Sequence, residues 1–344
     1  MKVLKINEKD KIKAIFHKND KKILSLLCYN VRIPISKIAR LLKLSRQSTE
    51  YRIKSMGQAH LIAGSRTVIN IRKLGYHSYY FFLNLSSRDD ETEFIKRCDK
   101  SGMANTLVSY SGKFGFEVSV MSMSSNDAKG IFEDLVEGLQ VNEVFPCILT
   151  EGIKASILPG FIPNKIPLIK NIKNDPSFSK QFSLKCKNYK IDIKDKIILF
   201  ALAQDAKIKL SEIAKKISLT RDAVSYRIKN LIKSGYILQF RPVIDYSVLD
   251  LSIQAVLIKG NYSHKNKIKF KQYLKSNDRV LWATEMMGNW DYLLYVIDKS
   301  QNQIHEFIED LKDKFGSFIS GYEILYAYQE HKYSFMTKGM SQDN

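Results

Sequence analysis

The chain has 344 residues, of which 44% are hydrophobic and 26% are charged, and its formal net charge is +20 at pH 7. This composition is typical of an ordinary water-soluble protein, and the length allows two or more domains of about 100–200 residues. No apolar run approaches the roughly 20 residues of a membrane helix, and the charged N-terminus lacks the apolar segment of a secretion signal. The sequence therefore predicts a cytoplasmic protein without a membrane segment.

Neither a metal site nor a redox site is visible. No two cysteines form a Cys-x-x-Cys pair, and no histidines have the spacing of zinc ligands or of a catalytic acid and base. We therefore predict reduced, mostly buried thiols, no metal and no cofactor. The cysteines are Cys28, Cys98, Cys147 and Cys186, and the histidines are His17, His60, His77, His264, His305 and His331.

The positive charge is unevenly distributed along the chain. Residues 1–75 carry a net charge of +14 and residues 152–194 carry +7, whereas residues 76–151 carry −6. This distribution is typical of a protein that binds a polyanion with some segments and not with others. Nucleic acid is the partner that the charge suggests, and the motif described below narrows the expectation to double-stranded DNA.

One motif occurs twice in the chain. The stretch SLTRDAVSYRIKNLIKSGYI begins at Ser218, and a looser version, KLSRQSTEYRIKSMGQAHLI, begins at Lys43. An offset of 175 residues aligns residues 20–76 with residues 195–251 without a gap. A repeat of this length is typical of a duplicated module of several elements and not of a solenoid.

Each copy predicts three short helices with a tight turn between the second and the third, which is the pattern of a helix-turn-helix. In the second copy, Ser211 and Thr220 are the expected N-caps of the second and third helices, and Gly235 is the expected left-handed end. His60 replaces that glycine in the first copy, so we expect a less regular helix end there. A strand pair or wing carrying Arg241 should follow. An amphipathic hairpin with a solvated basic face is the alternative, which the second occurrence of the motif disfavours.

The outer side chains of the third helix can donate and accept hydrogen bonds at base edges and phosphates in a major groove. The residues that we predict to bind DNA are Ser45, Arg46, Gln47, Ser48, Glu50, Tyr51, Arg52, Lys54 and Arg66 in the first copy and Thr220, Arg221, Asp222, Ser225, Tyr226, Arg227, Lys229 and Arg241 in the second. Arg52 and Arg227 lie towards the inner edge of their helices, where a carboxylate or the DNA backbone is a better partner than a base.

A different pattern follows each helix-turn-helix. The periodicities give the order β-α-β-β-α-β in both halves, which predicts a ferredoxin-like antiparallel sheet backed by two helices. The predicted fold class is therefore α+β, with two winged helix-turn-helix domains alternating with two ferredoxin-like domains. The predicted segments are 1–75 and 195–250 for the helix-turn-helix domains, 76–151 and 251–335 for the ferredoxin-like domains, and 152–194 for a Lys- and Pro-containing linker.

These residues resemble the Lrp/AsnC (leucine-responsive regulatory protein) family of transcriptional regulators. Members carry a helix-turn-helix followed by a β-α-β-β-α-β domain that binds an effector and forms oligomers. The resemblance covers nearly the whole chain, twice, and implies a sequence-specific DNA-binding transcriptional regulator. The residues that match the family's helix-turn-helix pattern are Thr220, Val224, Arg227, Ile228, Leu231, Gly235 and Ile237.

The resemblance also implies an amino-acid effector. In the family, a Gly-x-x-Asp hairpin lies near the effector pocket, and Gly288 with Asp291 matches it. The first half keeps Gly112 but has Gly115 in place of the acid, so an effector site is less expected there. The alternative for Asp291 is the ordinary preference of aspartate for hairpin turns.

Family members usually pair two helix-turn-helix units in a homodimer or a larger assembly, and a chain with two modules can build the same object internally. We expect an intramolecular pseudo-dimer, open to further homo-oligomerisation, whose recognition helices lie about 34 Å apart on two half-sites. Because the two copies differ, the operator should be an imperfect palindrome. The four prolines and nine lysines of residues 152–194 fit a linker whose charge assists at phosphates, or a solvated tether.

Two alternatives remain open at this point. Siroheme decarboxylases resemble the family in fold and occur as paired or fused units, but they should carry histidine and arginine in the strand hairpin of the αβ domain. The stretches NTLVSYSGKFGFEV and VLWATEMMGNWDYLL contain neither residue type, which disfavours an enzyme. Sequence-independent, architectural DNA binding would use the same basic surface.

Overall fold

The computed structural model describes residues 4–5, 17–160, 162, 189–261, 264–299 and 301–342. Most of the predicted linker, together with Cys186, lies outside the described residues. The chain forms two compact units, and each draws on both sequence repeats. A helical unit takes its described residues from Lys11–Leu74, Gly160–Leu249 and Ser334–Asn344, and a sheet unit takes them from Met1–Asp10, Gly75–Pro159 and Asp250–Tyr333.

The elements follow each other in the same order in both repeats. The helices are α1 (Lys18–Tyr29), α2 (Ile35–Leu42), α3 (Arg46–Gln58), α4 (Arg88–Lys100), α5 (Ser125–Val136), α6 (Ile193–Gln204), α7 (Leu210–Lys216), α8 (Arg221–Lys233), α9 (His264–Ser276) and α10 (Gln301–Phe315). The strands are β1 (Leu4–Lys5), β2 (Ile62–Ile69), β3 (His77–Leu85), β4 (Ala104–Ser111), β5 (Phe116–Ser122), β6 (Val141–Ala155), β7 (Ile237–Ile244), β8 (Ser252–Gly260), β9 (Val280–Gly288), β10 (Tyr292–Asp298) and β11 (Ile319–Tyr333).

A side-chain hydrogen bond caps the start of the third helix of each motif, α3 and α8, which we call the recognition helices. The hydroxyl oxygen of Thr220 accepts from the N–H of Ala223 at 3.2 Å, and Ser45 does the same for α3. The predicted cap at Ser211 is wrong, because the N-cap of α7 is Lys209, two residues earlier. There the carbonyl of Lys209 accepts the first helical hydrogen bonds, and Ser211 is an exposed residue of the first turn.

The two recognition helices end alike, contrary to the expected irregular end of α3. Both helices have 13 residues. His60 adopts a φ of 59°, close to the 73° of Gly235, and so takes the left-handed conformation without being glycine. For an L-residue this conformation costs about 1–2 kcal/mol, and the side chain of His60 is exposed.

The strand after each helix-turn-helix does not form a hairpin of its own. Instead β2 pairs with β7 in a two-stranded antiparallel sheet, so each motif supplies one strand. Arg66 lies opposite Arg241, and these two positions are equivalent in the repeat. The register is symmetric about this pair, as in an isologous contact between two identical subunits.

The sheet unit contains two αβ halves that share one sheet. The first αβ half consists of β3, α4, β4, β5, α5 and β6, and the second of β8, α9, β9, β10, α10 and β11, which confirms the predicted order. The strand order is β1-β11-β4-β5-β3-β6-β9-β10-β8, and β11 also pairs with β8, so the eight long strands close on themselves. The pairs β4–β11 and β6–β9 join the halves.

Each αβ half has its own apolar core between sheet and helices. In the first half, the ring of Phe94 meets that of Phe116 edge-on, with 5.5 Å between ring centroids. In the second, Phe270 meets Tyr292 in the same way at 5.0 Å. All four side chains are buried. Edge-to-face pairs of this kind fix the helices against the sheet.

The described cysteines Cys28, Cys98 and Cys147 are free and buried, as the sequence predicts. Burial raises the pKa of Cys98 to about 12. Among the described residues, no helix combines the length and the apolar character that crossing a membrane requires.

A buried carboxylate lies between the two αβ halves. Glu117 of β5 has no solvent-exposed surface. The hydroxyl of Tyr110 donates to it at 2.8 Å, and that of Tyr295, from the second half, donates at 2.9 Å. These two hydroxyl oxygens are 3.2 Å apart. Leu293 occupies the corresponding position of β10, so this carboxylate is not duplicated there.

The geometry of this cluster suits a protonated Glu117. Protonation reverses one of the two hydrogen bonds to the carboxyl group. The acid O–H then donates to one tyrosine hydroxyl, this hydroxyl donates to the second, and the second donates to the other carboxyl oxygen. Ionisation instead leaves a negative charge out of water. Burial raises the pKa of Glu117 to about 7, an effect that hydrogen bonds from Tyr110 and Tyr295 oppose and the nearby Glu330 reinforces.

We therefore expect the stability of the protein to fall as the pH rises from about 5 to 8. Because the pKa of Glu117 is raised on folding, the folded chain retains a proton that the unfolded chain releases above an ordinary value of 4.5. The stabilisation is fully present below that value and is lost as the pH passes about 7. Glu117→Gln should remove on the order of 2 kcal/mol of this pH dependence. Denaturant unfolding of both proteins at pH 5 and pH 8 measures it, and parallel pH profiles would contradict it.

Candidate nucleic-acid interface

The outward faces of α3 and α8 carry matching side chains, namely an arginine, a tyrosine and a lysine at the first, sixth and ninth helical positions. These are Arg46, Tyr51 and Lys54 on α3 and Arg221, Tyr226 and Lys229 on α8, and all six are exposed. The tyrosines are 73% and 67% exposed, so they add little to either core. Exposed aromatic groups between cations suit contact with bases and phosphates.

One carboxylate in each copy holds the recognition helix in place. Arg52 donates to Asp20 of α1 at 2.8 Å, and Arg227 donates to the equivalent Asp195 of α6 at 3.0 Å. Asp195 is buried and also accepts from the N–H of Asp192 at 3.2 Å, at the start of α6. The same carboxylate therefore caps the first helix and anchors the third.

In the second copy, electrostatic interactions favour the charged forms of Arg227 and Asp192. Hydrogen bonding to Asp195 and Asp192 raises the pKa of Arg227. Burial alone would raise the pKa of Asp192, but the N–H of Asp195 and the guanidinium of Arg227 outweigh burial and lower it. Arg227 is thus engaged by carboxylates, the partner expected for an inner-edge arginine, and its predicted DNA contact would have to share the guanidinium.

The predicted contacts Arg66 and Arg241 lie opposite each other at the centre of the β2–β7 sheet. Both are half-buried. The guanidinium carbon of Arg241 lies 4.5 Å from the centroid of the Phe335 ring, a cation–π contact. Two like charges directly opposite on paired strands repel, so this contact stabilises a position that is otherwise unfavourable.

The structure divides the predicted DNA-binding residues into two groups by exposure. The exposed ones are Ser45, Arg46, Gln47, Glu50, Tyr51, Lys54, Thr220, Arg221, Asp222, Tyr226 and Lys229. The partly buried ones are Ser48, Arg52, Arg66, Ser225, Arg227 and Arg241. The first group lies on the outer faces and at the first turns of α3 and α8, where a DNA groove could reach it.

Asp20 and Asp195 occupy equivalent positions of the repeat, but neither was among the predicted functional residues. Their signal was available, because an acid at the third position of a helix is the pattern of a capping residue. The pattern does not predict the ion pair with an arginine of the third helix, because the two partners are 32 residues apart in each copy.

Asp291 joins the hairpin of the predicted effector residues to the neighbouring strand β8. Its carboxylate accepts from the N–H of Gly260 at 2.8 Å, and the ammonium of Lys259 lies 3.7 Å from the same oxygen. In the first αβ half, the side-chain oxygen of Asn84 accepts from the N–H of Gly115 at 2.7 Å instead. A different side chain therefore fixes the hairpin in each half, and the charge is present only in the second.

Gly288, predicted to belong to an effector-binding hairpin, also allows close packing between strands. Its φ is 143°, and a Cβ at this position would lie 2.4 Å from the carbonyl oxygen of Pro146 on β6. The equivalent Gly112, with a φ of 140°, faces Ile324 of β11 in the same way. Both glycines allow an edge strand of one half to approach the other half closely.

Metal chemistry finds no support at this surface or elsewhere in the described part of the chain. Within those residues, no group of three or more histidine, cysteine, aspartate or glutamate side chains is placed to hold a metal ion. His331 donates to or accepts from Ser109 at 2.7 Å, and burial lowers its pKa.

Known proteins match both helix-turn-helix motifs. The AsnC-type helix-turn-helix domain matches residues 18–56, and the winged helix-turn-helix DNA-binding domain matches residues 191–237. The transcriptional regulator AzlB of Bacillus subtilis is 30% identical over 123 residues, which are 35% of this chain and 78% of that protein. The transcriptional regulator LrpB of the same organism is 30% identical over 155 residues, which are 44% of this chain and 99% of that protein.

A solved structure matches the fold over most of the chain. It is that of the siroheme decarboxylase NirDL in complex with an iron-uroporphyrin III analogue, with a TM-score of 0.59 and 12% identity over 93% of this chain and 94% of that one. At this identity the likeness concerns the fold alone. The sequence relatives are regulators, and one is matched over nearly its full length by less than half of this chain. The chain therefore belongs to the Lrp/AsnC family of DNA-binding transcriptional regulators.

Proposed function

We propose that one chain binds one DNA operator sequence-specifically through both of its helix-turn-helix motifs, as an internal pseudo-dimer. The observation that supports this most is the β2–β7 sheet, whose register is symmetric about Arg66 and Arg241. A symmetric pairing of equivalent strands relates two recognition helices as the dyad of DNA relates two half-sites. Under this proposal the duplication in the sequence is a fused dimer.

In this proposal, attraction between exposed cations of the protein and the DNA phosphates supplies much of the binding free energy. Arg46, Lys54, Arg221 and Lys229 are exposed cations on the two recognition helices. Residues 1–75 carry a net charge of +14, so the first copy should contribute more of the salt-dependent attraction to phosphates. Sequence preference then comes from the first turns of α3 and α8, whose side chains reach base edges.

Footprinting of the purified protein on genomic DNA tests the function. A regulator should protect discrete sites of about one to two helical turns and leave the flanking DNA open to cleavage. Uniform protection that follows protein concentration and not sequence would favour architectural DNA binding instead and would contradict the proposal.

The fold likeness to a siroheme decarboxylase supports one rival, an enzyme. The β4–β5 hairpin over 104–122 and the β9–β10 hairpin over 280–298 contain no histidine or arginine to hold or protonate an acidic substrate. We propose that the chain is not an enzyme. Titration with an iron porphyrin that carries carboxylates should leave its absorption spectrum unchanged, whereas saturable binding would favour the enzyme.

Replacing Arg46 or Arg221 with alanine should relax the sequence preference and weaken specific binding by about 1–3 kcal/mol, if each contacts guanine with two hydrogen bonds. Both side chains are exposed and form no ion pair with a described residue, so folding stability should change by less than about 0.5 kcal/mol. Site selection from random DNA and thermal unfolding measure the two effects.

Arg52→Ala and Arg227→Ala are the matched controls, and the opposite result is expected for them. Each removes the cation that faces a largely buried carboxylate, Asp20 or Asp195, which should lower the free energy of unfolding by about 1–3 kcal/mol. The preferred site should be retained. If Arg46→Ala and Arg221→Ala both leave the preferred site unchanged, the assigned base contacts are wrong.

We extend the proposal to one amino-acid effector per chain, bound at Asp291. A carboxylate holds an amino-acid ammonium by a charge-assisted hydrogen bond, and Gly115 offers none in the first half. One carboxylate oxygen already accepts from Gly260, so Asp291→Asn is the informative change. It keeps an acceptor for the hairpin and removes the charge.

Calorimetry across the amino acids should give about one site for the native chain and at least tenfold weaker binding for Asp291→Asn, with unchanged thermal stability. Two equal sites, or equal binding by the variant, would remove Asp291 from the effector role. Absence of binding to the native chain would leave Asp291 with only its structural role of joining the hairpin to β8.

A further inference from the structure

We infer that the two recognition helices prefer different base pairs at one equivalent position, so that the operator is polar and the chain binds it in one orientation. Gln47 of α3 and Asp222 of α8 would set this difference. The inference rests on the proposed function and adds the identity of the bases.

Gln47 and Asp222 occupy the second position of their helices, immediately after Arg46 and Arg221. Both side chains are exposed, and neither forms a hydrogen bond or ion pair with a residue that the structure describes. The first turn of a recognition helix is the part that meets base edges in the major groove. The two side chains are therefore available to bases at equivalent points of the two half-sites.

The surroundings of these two positions are closely matched. A hydroxyl side chain caps each helix, through Ser45 and Thr220, and each helix has 13 residues. The arginine, tyrosine and lysine of the outer face are also shared. Because both helices should enter the groove in the same way, a difference in preference at this point comes from the differing side chains.

The chemistry of the two side chains separates the bases. The amide of Gln47 can donate to N7 and accept from N6 of adenine, a pairing that Asp222 cannot make because it lacks a donor. The carboxylate of Asp222 accepts from N4 of cytosine. The half-site under α3 should therefore carry adenine where the half-site under α8 carries cytosine.

A second difference lies one turn further along the same helix face. Glu50 follows Gln47 by three residues, and Ser225 follows Asp222 by three, so each pair faces the same way. The acid thus stands at the fifth position of α3 but at the second position of α8. This shift predicts a second cytosine preference under α3, while Ser225, which accepts and donates, permits several bases.

Asp222 also has an explanation without DNA, because an acid in the first turn of a helix interacts favourably with the helix dipole. That explanation predicts a change in stability and no change in base preference. The two roles are separated by measuring both quantities on the same variants.

The test is a symmetrised chain, Asp222→Gln with Ser225→Glu, whose second helix then carries the residues of the first at both positions. Site selection from random DNA should give an imperfect palindrome for the native chain and a more symmetric one for this variant, in which adenine replaces cytosine in the second half-site. On defined duplexes the preference for adenine over cytosine there should change on the order of tenfold.

The reciprocal variant, Gln47→Asp with Glu50→Ser, is the matched control and should symmetrise the operator towards cytosine. Thermal unfolding confirms that both variants fold. If the native chain selects equal half-sites, or if both variants select the native site, the inference is overturned while the proposed function stands. If the native chain selects no sequence at all, the proposed function itself fails.

Discussion

Within each of the two units, strand pairing joins elements of the two sequence repeats. In the sheet unit, β4 pairs with β11 and β6 pairs with β9, so each αβ half covers the open edges of the other. In the helical unit, β2 pairs with β7. An uncovered edge strand exposes unpaired N–H and C=O groups and invites association with other chains. Because one chain supplies both partners, this pairing needs no second subunit, and its strength does not depend on protein concentration.

Because both copies of the repeat belong to one chain, their sequences can differ. In a homodimer both subunits carry the same residues, so a buried carboxylate in one subunit would have a copy in the other. Here Glu117 meets Tyr295 of the other half, while Leu293 occupies the matching position. The same freedom lets Asp291 and Asn84 fix the two hairpins by different chemistry. It also allows α3 and α8 to differ at the positions of Gln47 and Asp222, which under the proposed function would give the operator two different half-sites.

Local patterns carried much of the sequence prediction. Helical periodicity located the three helices of each motif, and the Thr220 cap and the left-handed Gly235 follow from rules that act within one turn. Contacts between distant residues were not predictable in this way. The partner of β7 lies in the other repeat, and the ion pair of Arg227 joins residues 32 apart. The Ser211 cap failed because the N-cap of α7 is Lys209, whose side chain makes no capping hydrogen bond, so the capping rule could not mark the start of this helix.

The central claim is that one chain occupies both half-sites of one operator. Sedimentation of the protein with a short duplex that holds a single operator tests this most directly. One chain of 39.7 kDa per duplex at saturation, unchanged when the protein is diluted at constant excess over DNA, is the predicted result. Two chains per duplex, each contributing one recognition helix, would contradict the claim.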